Sequence, residues 1–242
     1  MKQILLLTDN GLLYNKFINL LVSSFPDYLD LFDFKKSRQS NIVKNYKSGI
    51  EELEEIDVKD NICELIARYS LIISLHCKQL FPKELISQVR CVNVHPGYNP
   101  QNRGWYPQVF AIINHTIVGA TIHEMDEKVD NGYIICRESV PIYANDTSKE
   151  VYERVLEKEI VLLKQNFIDI VNGTYQVILP ENIGTFHTRK EFLELCKLDL
   201  SEVSTVGEVI DKLRGLTHGD YTNAYFVDED GNKIYVKISL TL

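Results

Sequence analysis

Long hydrophobic runs are missing from this chain: none approaches the roughly 18 residues that a membrane-spanning helix needs. Basic runs are missing too. None is longer than Lys35-Lys36, and 34 acidic residues against 26 basic ones leave a net charge of -8. That balance excludes a general phosphate-backbone binder, so no nucleic-acid partner is expected. Cysteine is sparse and odd in number, at 63, 77, 91, 136 and 196, and no C-x-x-C occurs. The pattern argues against a disulfide framework or a zinc site, and for reduced, mostly buried thiols in a cytoplasmic protein. The opening M-K-Q-I-L-L-L-T-D-N has an apolar run too short for a secretory leader, and no small-x-small site follows. On that reading the N-x-S/T triplets at Asn114, Asn145 and Asn172 are chance matches.

What is present suits one full core: 242 residues, 45% of them hydrophobic. Length points to one large domain, or a domain of roughly 150–200 residues with a smaller appendage. The apolar run at 3–8, stopped by Asp9-Asn10-Gly11, predicts a strand; the amphipathic stretch from Tyr14 to Phe25 predicts a helix. Alternation over 28–34 predicts a second strand, and 36–60 reads as a loop with a poor helix. Asn61 to Tyr69 reads as a helix. Leu71 to Leu75 has no polar face, as expected at the centre of a parallel sheet. A short helix over Pro82 to Val89 and a strand over Cys91 to Val94 follow.

Further on, Tyr106 to Asn114 predicts a helix with Pro107 in its first turn. Two β-rich runs, Thr116 to Met125 and Tyr133 to Val140, flank the loop D-E-K-V-D-N-G. Thr147-Ser148-Lys149-Glu150 is a capping-box pattern opening a long helix that Asn172-Gly173 stops. After Pro180 the character changes. Short helices are expected at Glu191 to Cys196 and Val206 to Leu213, and a hairpin from Asn223–Val227 and Lys233–Leu240 around D-E-D-G-N. The expected fold class is α/β, a Rossmann-like domain with a central, mostly parallel sheet. The expected division is 1–180 as a catalytic domain and 181–242 as an extension ending in the hairpin.

Asn93 and His95 lie two apart at a strand end, so their side chains share one side. An amide donor and an imidazole facing one space suit reactions at a carbonyl: one stabilises a developing oxyanion, the other moves a proton near neutral pH. Asp130, in a Gly-bounded loop, is placed to fix the imidazole's charge state or relay its proton. Taken alone, N-x-H fits equally a turn former and a satisfied buried histidine.

The wider combination is N-V-H-P-G, then R-G-W-Y-P-Q, then G-A-T-I-H-E-M-D-E-x-V-D-N-G. It resembles the formyltransferase family that uses 10-formyltetrahydrofolate, by motif over 71–140 and by architecture over roughly 1–175. The resemblance implies catalytic roles for Asn93, His95 and Asp130, a folate co-substrate and no metal. It leaves open whether His95 is the base or shares the oxyanion. Folate-dependent enzymes acting on purine precursors or tRNA usually follow the His with Pro-Ser-Leu-Leu-Pro. Here H-P-G-Y-N-P-Q-N-R-G-W-Y-P stands instead, which looks like the sugar N-formyltransferases acting on dTDP-4-amino-4,6-dideoxyglucose. The product would feed a surface polysaccharide such as O-antigen. A dTDP-3-amino sugar, glycinamide ribonucleotide and a silent folate or nucleotide-sugar binder are the rival readings.

By the same resemblance, Gln79 and Leu80 lie where the folate would meet the loop after the central strand, and Asp126 lies in a loop that would meet the pterin. Lys78 is either a partner for a sugar-nucleotide phosphate or an ordinary surface lysine. Asn10 either reaches the sugar or diphosphate or forms a turn. Arg103, Trp105 and Tyr106 fall beside the expected acceptor pocket. Tyr221 either stacks on the nucleotide base or merely packs. The β-rich hairpin would expose an edge if left alone, so a homodimer through it is expected.

Overall fold

A computed structural model describes residues 3–38, 49–180 and 182–241. The chain divides into two compact units. The first takes residues 1–95, 121–137 and 158–181; the second takes 96–120, 138–157 and 182–242. The second unit thus draws on two earlier segments as well as the C-terminal 60 residues or so that the change in sequence character marks.

A seven-stranded sheet forms the framework, in the order β3-β2-β1-β4-β5-β7-β8. Its strands are β1 (Gln3–Thr8), β2 (Phe32–Ser37), β3 (Glu54–Ile56), β4 (Tyr69–Leu75), β5 (Arg90–His95), β7 (Val118–Glu124) and β8 (Ile134–Val140). The first five run parallel, and β7 pairs antiparallel with β5. The two-residue β6 (Arg103–Gly104) lies outside this sheet. Strand order reverses between β1 and β4, a switch point whose carboxyl-end crevice is where open α/β sheets take ligands.

The central strands are buried on both faces, as their unbroken apolar runs predict. Leu5, Leu7 and Ile72 pack with Leu65 of α2 (Ile62–Arg68) and Leu85 of α3 (Lys83–Ile86). Ile4, Leu6 and Ile73 alternate with them and are equally buried. Phe17 of α1 (Gly11–Ser24) meets Phe32 edge-on at 5.5 Å, and Phe25 stacks at 4.1 Å on Phe167 of α5 (Ser148–Asn172).

The 28–34 alternation proved misleading. Pro26 opens a 3-10 turn through Leu31, and the strand begins only at Phe32. Tyr28 points edge-on at Phe167 rather than along a sheet. Of the loop expected over 36–60, positions 39–48 lie outside the described residues.

In the second unit, α4 (Pro107–Ile113) packs on α7 (Val206–Leu216), and Phe192 of α6 (Arg189–Leu195) joins Val109, Phe110 and Leu216 in a small core. Capping boxes at Thr188/Glu191 and Thr205/Glu208 start α6 and α7. At Thr147 the Glu150 carboxylate accepts from the backbone N–H and the hydroxyl of Thr147, and that hydroxyl accepts in turn from the Lys149 N–H at 3.4 Å. The second unit also holds the short pairs β6 with β9 (Phe186–His187) and β10 (Thr217–His218) with β11 (Tyr221–Thr222). The hairpin pairs β12 (Tyr225–Val227) with β13 (Lys233–Tyr235), shorter than its β-rich sequence suggests. Asp228 closes its turn by accepting from the backbone N–H groups of Asp230 and Asn232. Among the described residues no helix is long and apolar enough to cross a membrane.

Candidate active site

Asn93 and His95 end β5, two residues apart, as the period of a strand requires. The antiparallel register sets Asn93 opposite His123 of β7. Asp130 enters from the loop after β7, with φ at +51°. Gly132 closes that loop against β7: a Cβ there would stand 1.7 Å from the carbonyl oxygen of Glu124. The two strand ends and this loop bring the three predicted catalytic side chains together in the first unit.

Oδ1 of Asp130 is the shared acceptor. Asn93 Nδ2 donates to it at 3.2 Å, and His95 Nδ1 lies 3.5 Å away. His123 Nε2 stands at 3.7 Å. His95 and His123 are 4% and 2% exposed, so this is a buried electrostatic cluster rather than a surface pair.

The hydrogen bonds fix His123's tautomer. Its Nδ1 sits 2.7 Å from the carbonyl oxygen of Glu124, which can only accept, so Nδ1 carries the hydrogen. Nε2 is then free to accept from Asn93 Nδ2, at 3.2 Å. Both amide hydrogens of Asn93 therefore have acceptors, His123 and Asp130. Its NH2 group is held in one orientation, and a carbonyl oxygen arriving there would exchange for one of them. His123 stood inside the quoted motif without a role. The signal that finds it is the antiparallel pairing of the two β-rich runs, which no single-strand pattern reveals.

The arrangement has two chemical capacities. A positioned amide N–H can stabilise charge on an attacked carbonyl oxygen, typically worth ~3 kcal/mol. An imidazole backed by a carboxylate can take up a proton, typically worth ~10²–10⁴ in rate. Burial strengthens both, because little water screens the charges.

The other predicted residues fall in two groups. Asn10 is 3% exposed and N-caps α1, its Oδ1 accepting from the Leu13 N–H at 3.2 Å. Gln79 spends its side chain internally, accepting from Val58 N–H and donating to the Ile56 carbonyl. Lys78 is exposed; its backbone N–H donates to Asp9 Oδ2 at 2.9 Å, while its ammonium has no hydrogen-bond or ion-pair partner among the described residues. Leu80 is 63% exposed despite being apolar. The turn after β4 is thus bolted by its backbone and by Gln79, leaving Lys78 and Leu80 outward. Asp126 shapes its own loop, accepting from the Lys128 N–H and from Asn131 Nδ2.

Arg103, Trp105, Tyr106 and Tyr221 belong to the second unit. Arg103 is 9% exposed and donates from Nη2 to the Ile183 carbonyl. Trp105 is half-exposed, with the Arg189 guanidinium 5.7 Å from its ring. Tyr106 packs against Phe192 at 3.9 Å between ring centres, and burial pushes its phenol up. Tyr221 lies 5.9 Å from the His218 ring.

A further buried pair was not anticipated. His76, which follows β4 with φ at +58°, places Nε2 2.8 Å from Oε1 of Glu159 on α5. Glu159 is wholly buried, and that burial pushes its carboxyl up against the opposing pull of His76.

Replacing His123 by Ala removes one of the two acceptors that orient Asn93. We expect turnover to fall about 10- to 100-fold, the scale of a misplaced catalytic group, with Michaelis constants nearly unchanged. Steady-state kinetics on protein shown folded by circular dichroism checks this; unchanged turnover would remove His123 from the site.

Residues 15–166 match the formyl transferase family, and residues 191–242 match the N-formyltransferase dimerization C-terminal domain. The dTDP-4-amino-4,6-dideoxyglucose formyltransferase of Mycobacterium bovis is 45% identical over 198 residues, covering 81% of this chain and 85% of that protein. A sugar N-formyltransferase structure from Shewanella superposes with a TM-score of 0.93 at 41% identity, over 100% of this chain and 99% of that one. A 4-N formyltransferase structure from Francisella tularensis gives 0.89 at 39% identity, over 100% and 98%. With a family match across more than half its length and a relative this similar over most of both proteins, the chain belongs to the formyl transferase family.

Proposed function

We propose that the protein transfers a formyl group to the amine of a nucleotide-linked sugar, dTDP-4-amino-4,6-dideoxyglucose, from 10-formyltetrahydrofolate. The observation that carries the reaction is Oδ1 of Asp130, which accepts from Asn93 and faces His95 Nδ1 at 3.5 Å, with His123 beside them. Support for the acceptor comes from the relative named for that sugar at 45% identity and the Francisella 4-N enzyme at 39%.

An amine attacking a carbonyl carbon loses a proton while the oxygen gains charge. Asn93 donates from Nδ2 toward that oxygen. His95, steadied at Nδ1 by Asp130, accepts the proton and can return it to the departing group. Folate supplies the formyl carbon in activated form. Leu80, apolar and outward on a rigid turn, fits a flat heterocycle, and the Asp126 loop is assigned to the pterin. Lys78 offers its exposed ammonium to a phosphate of the acceptor. Arg103, Trp105, Tyr106 and Tyr221 are assigned to the sugar and base. We place the reaction in the cytoplasm, where the free cysteines stay reduced, and its product in surface polysaccharide such as O-antigen.

The C-terminal segment leaves Val206 76%, Ile234 41% and Tyr235 52% exposed. This apolar surface, in a segment matching a dimerization domain, supports a homodimer through the hairpin.

Two experiments test these readings. Turnover with 10-formyltetrahydrofolate, offering the 4-amino and 3-amino dTDP sugars side by side, should favour the 4-amino sugar, read as folate release and a formyl mass gain. Preference for the 3-amino sugar moves the acceptor; no transfer to either, in protein that binds folate, defeats the reading. Light scattering should give a dimer mass for the native chain and a monomer for Ile234→Asp; a native monomer would defeat the dimer.

A further inference from the structure

A fully buried carboxylate is costly to keep unless something depends on it. Glu159, on α5, has 0% exposure; its Oε1 meets His76 Nε2 at 2.8 Å, and its Oε2 has no hydrogen-bond partner among the described residues. No step of the proposed reaction uses it. Its position is informative: His76 stands at the carboxyl end of β4, beside the switch point between β1 and β4.

The partners determine how His76 is held. Asn10 Oδ1 is committed to capping α1 through the Leu13 N–H. Its Nδ2, a donor, therefore faces His76 Nδ1 at 3.4 Å, which makes Nδ1 the accepting nitrogen. Nε2 then carries the hydrogen and donates to Glu159. The imidazole is pinned between β1's end and α5 in one tautomer and one plane. His76 also has a left-handed backbone, φ +58°, a conformation that a non-glycine residue keeps only where its surroundings enforce it. The two residues after it lead to Lys78, whose backbone N–H is fixed by Asp9 while its ammonium has no partner among the described residues.

We propose that Glu159 is a positioning residue for acceptor binding: acting through His76, it holds the turn that presents Lys78 to a phosphate of the nucleotide sugar. This rests on the functional reading above, in which Lys78 meets that phosphate. Glu159 touches no substrate itself.

Steady-state kinetics with each substrate varied in turn, and dTDP titrated by calorimetry, test the proposal on Glu159→Leu and Glu159→Gln. For Glu159→Leu, the KM for the sugar nucleotide and the Kd for dTDP should rise about tenfold, with kcat and the folate KM within about threefold. Glu159→Gln keeps an acceptor oxygen for His76 and should stay within about threefold of the native enzyme throughout. Adding Lys78→Ala to Glu159→Leu should weaken dTDP no further than Lys78→Ala alone. Should Glu159→Leu fail to fold, His76→Leu carries the same expectations. Native constants in the Leu variant, a loss confined to kcat, or a Gln variant as impaired as the Leu variant would each overturn the inference. Failure of the functional reading would appear earlier, in native protein that binds no dTDP.

Discussion

One carboxylate oxygen organises the candidate active site. Oδ1 of Asp130 takes a hydrogen bond from Asn93, faces His95 Nδ1 and lies near His123. Its place depends on a residue with no side chain: only glycine at 132 lets the loop return so close to the carbonyl of Glu124. It depends equally on β7 running antiparallel to β5, because that register sets His123 opposite Asn93. The five parallel strands therefore gain an antiparallel neighbour where two strands must supply side chains to the same space.

Rigidity around the site comes from buried polar groups rather than from apolar packing alone. Asp9 accepts from the backbone and hydroxyl of Ser37 and from the backbone of Lys78, tying together the ends of β1, β2 and β4. Asn10 caps α1 and meets His76, and Gln79 ties the same turn to Ile56 and Val58. Asp9, Asn10 and Gln79 are each satisfied by main chain or a neighbouring side chain, which lowers the cost of burial and leaves few alternative conformations. Preorganised donors of this kind need no rearrangement when charge develops, the circumstance in which electrostatic stabilisation is largest.

The sequence exposed what is periodic or local. Strands β1, β4 and β5, helix α5 with its Gly173 stop, and the pairing of Asn93 with His95 follow from apolar runs, caps and alternation. The family likeness supplied Asp130, whose approach no local pattern shows. What stayed hidden depends on contacts between distant segments. His123 needs the register of two strands, and Glu159 looks like one charge among many on a long helix until it is found buried against His76. The sequence leaves Asn10 open between a ligand contact and a turn former, and only the family resemblance puts Gln79 near the folate; in the structure their side chains make a helix cap and a loop tie. The strand over 28–34 failed because Pro26 and the packing of Tyr28 overrode the alternation.

The account's central claim is that His95 and Asp130 act as one proton-handling unit. A double-mutant cycle on kcat, using His95→Ala, Asp130→Ala and the pair, tests it most directly. If the two act together, the double variant loses no more than the more damaging single variant, as coupled catalytic groups do. If the two losses multiply, the groups work independently, and the shared hydrogen-bonding geometry does not explain the catalysis.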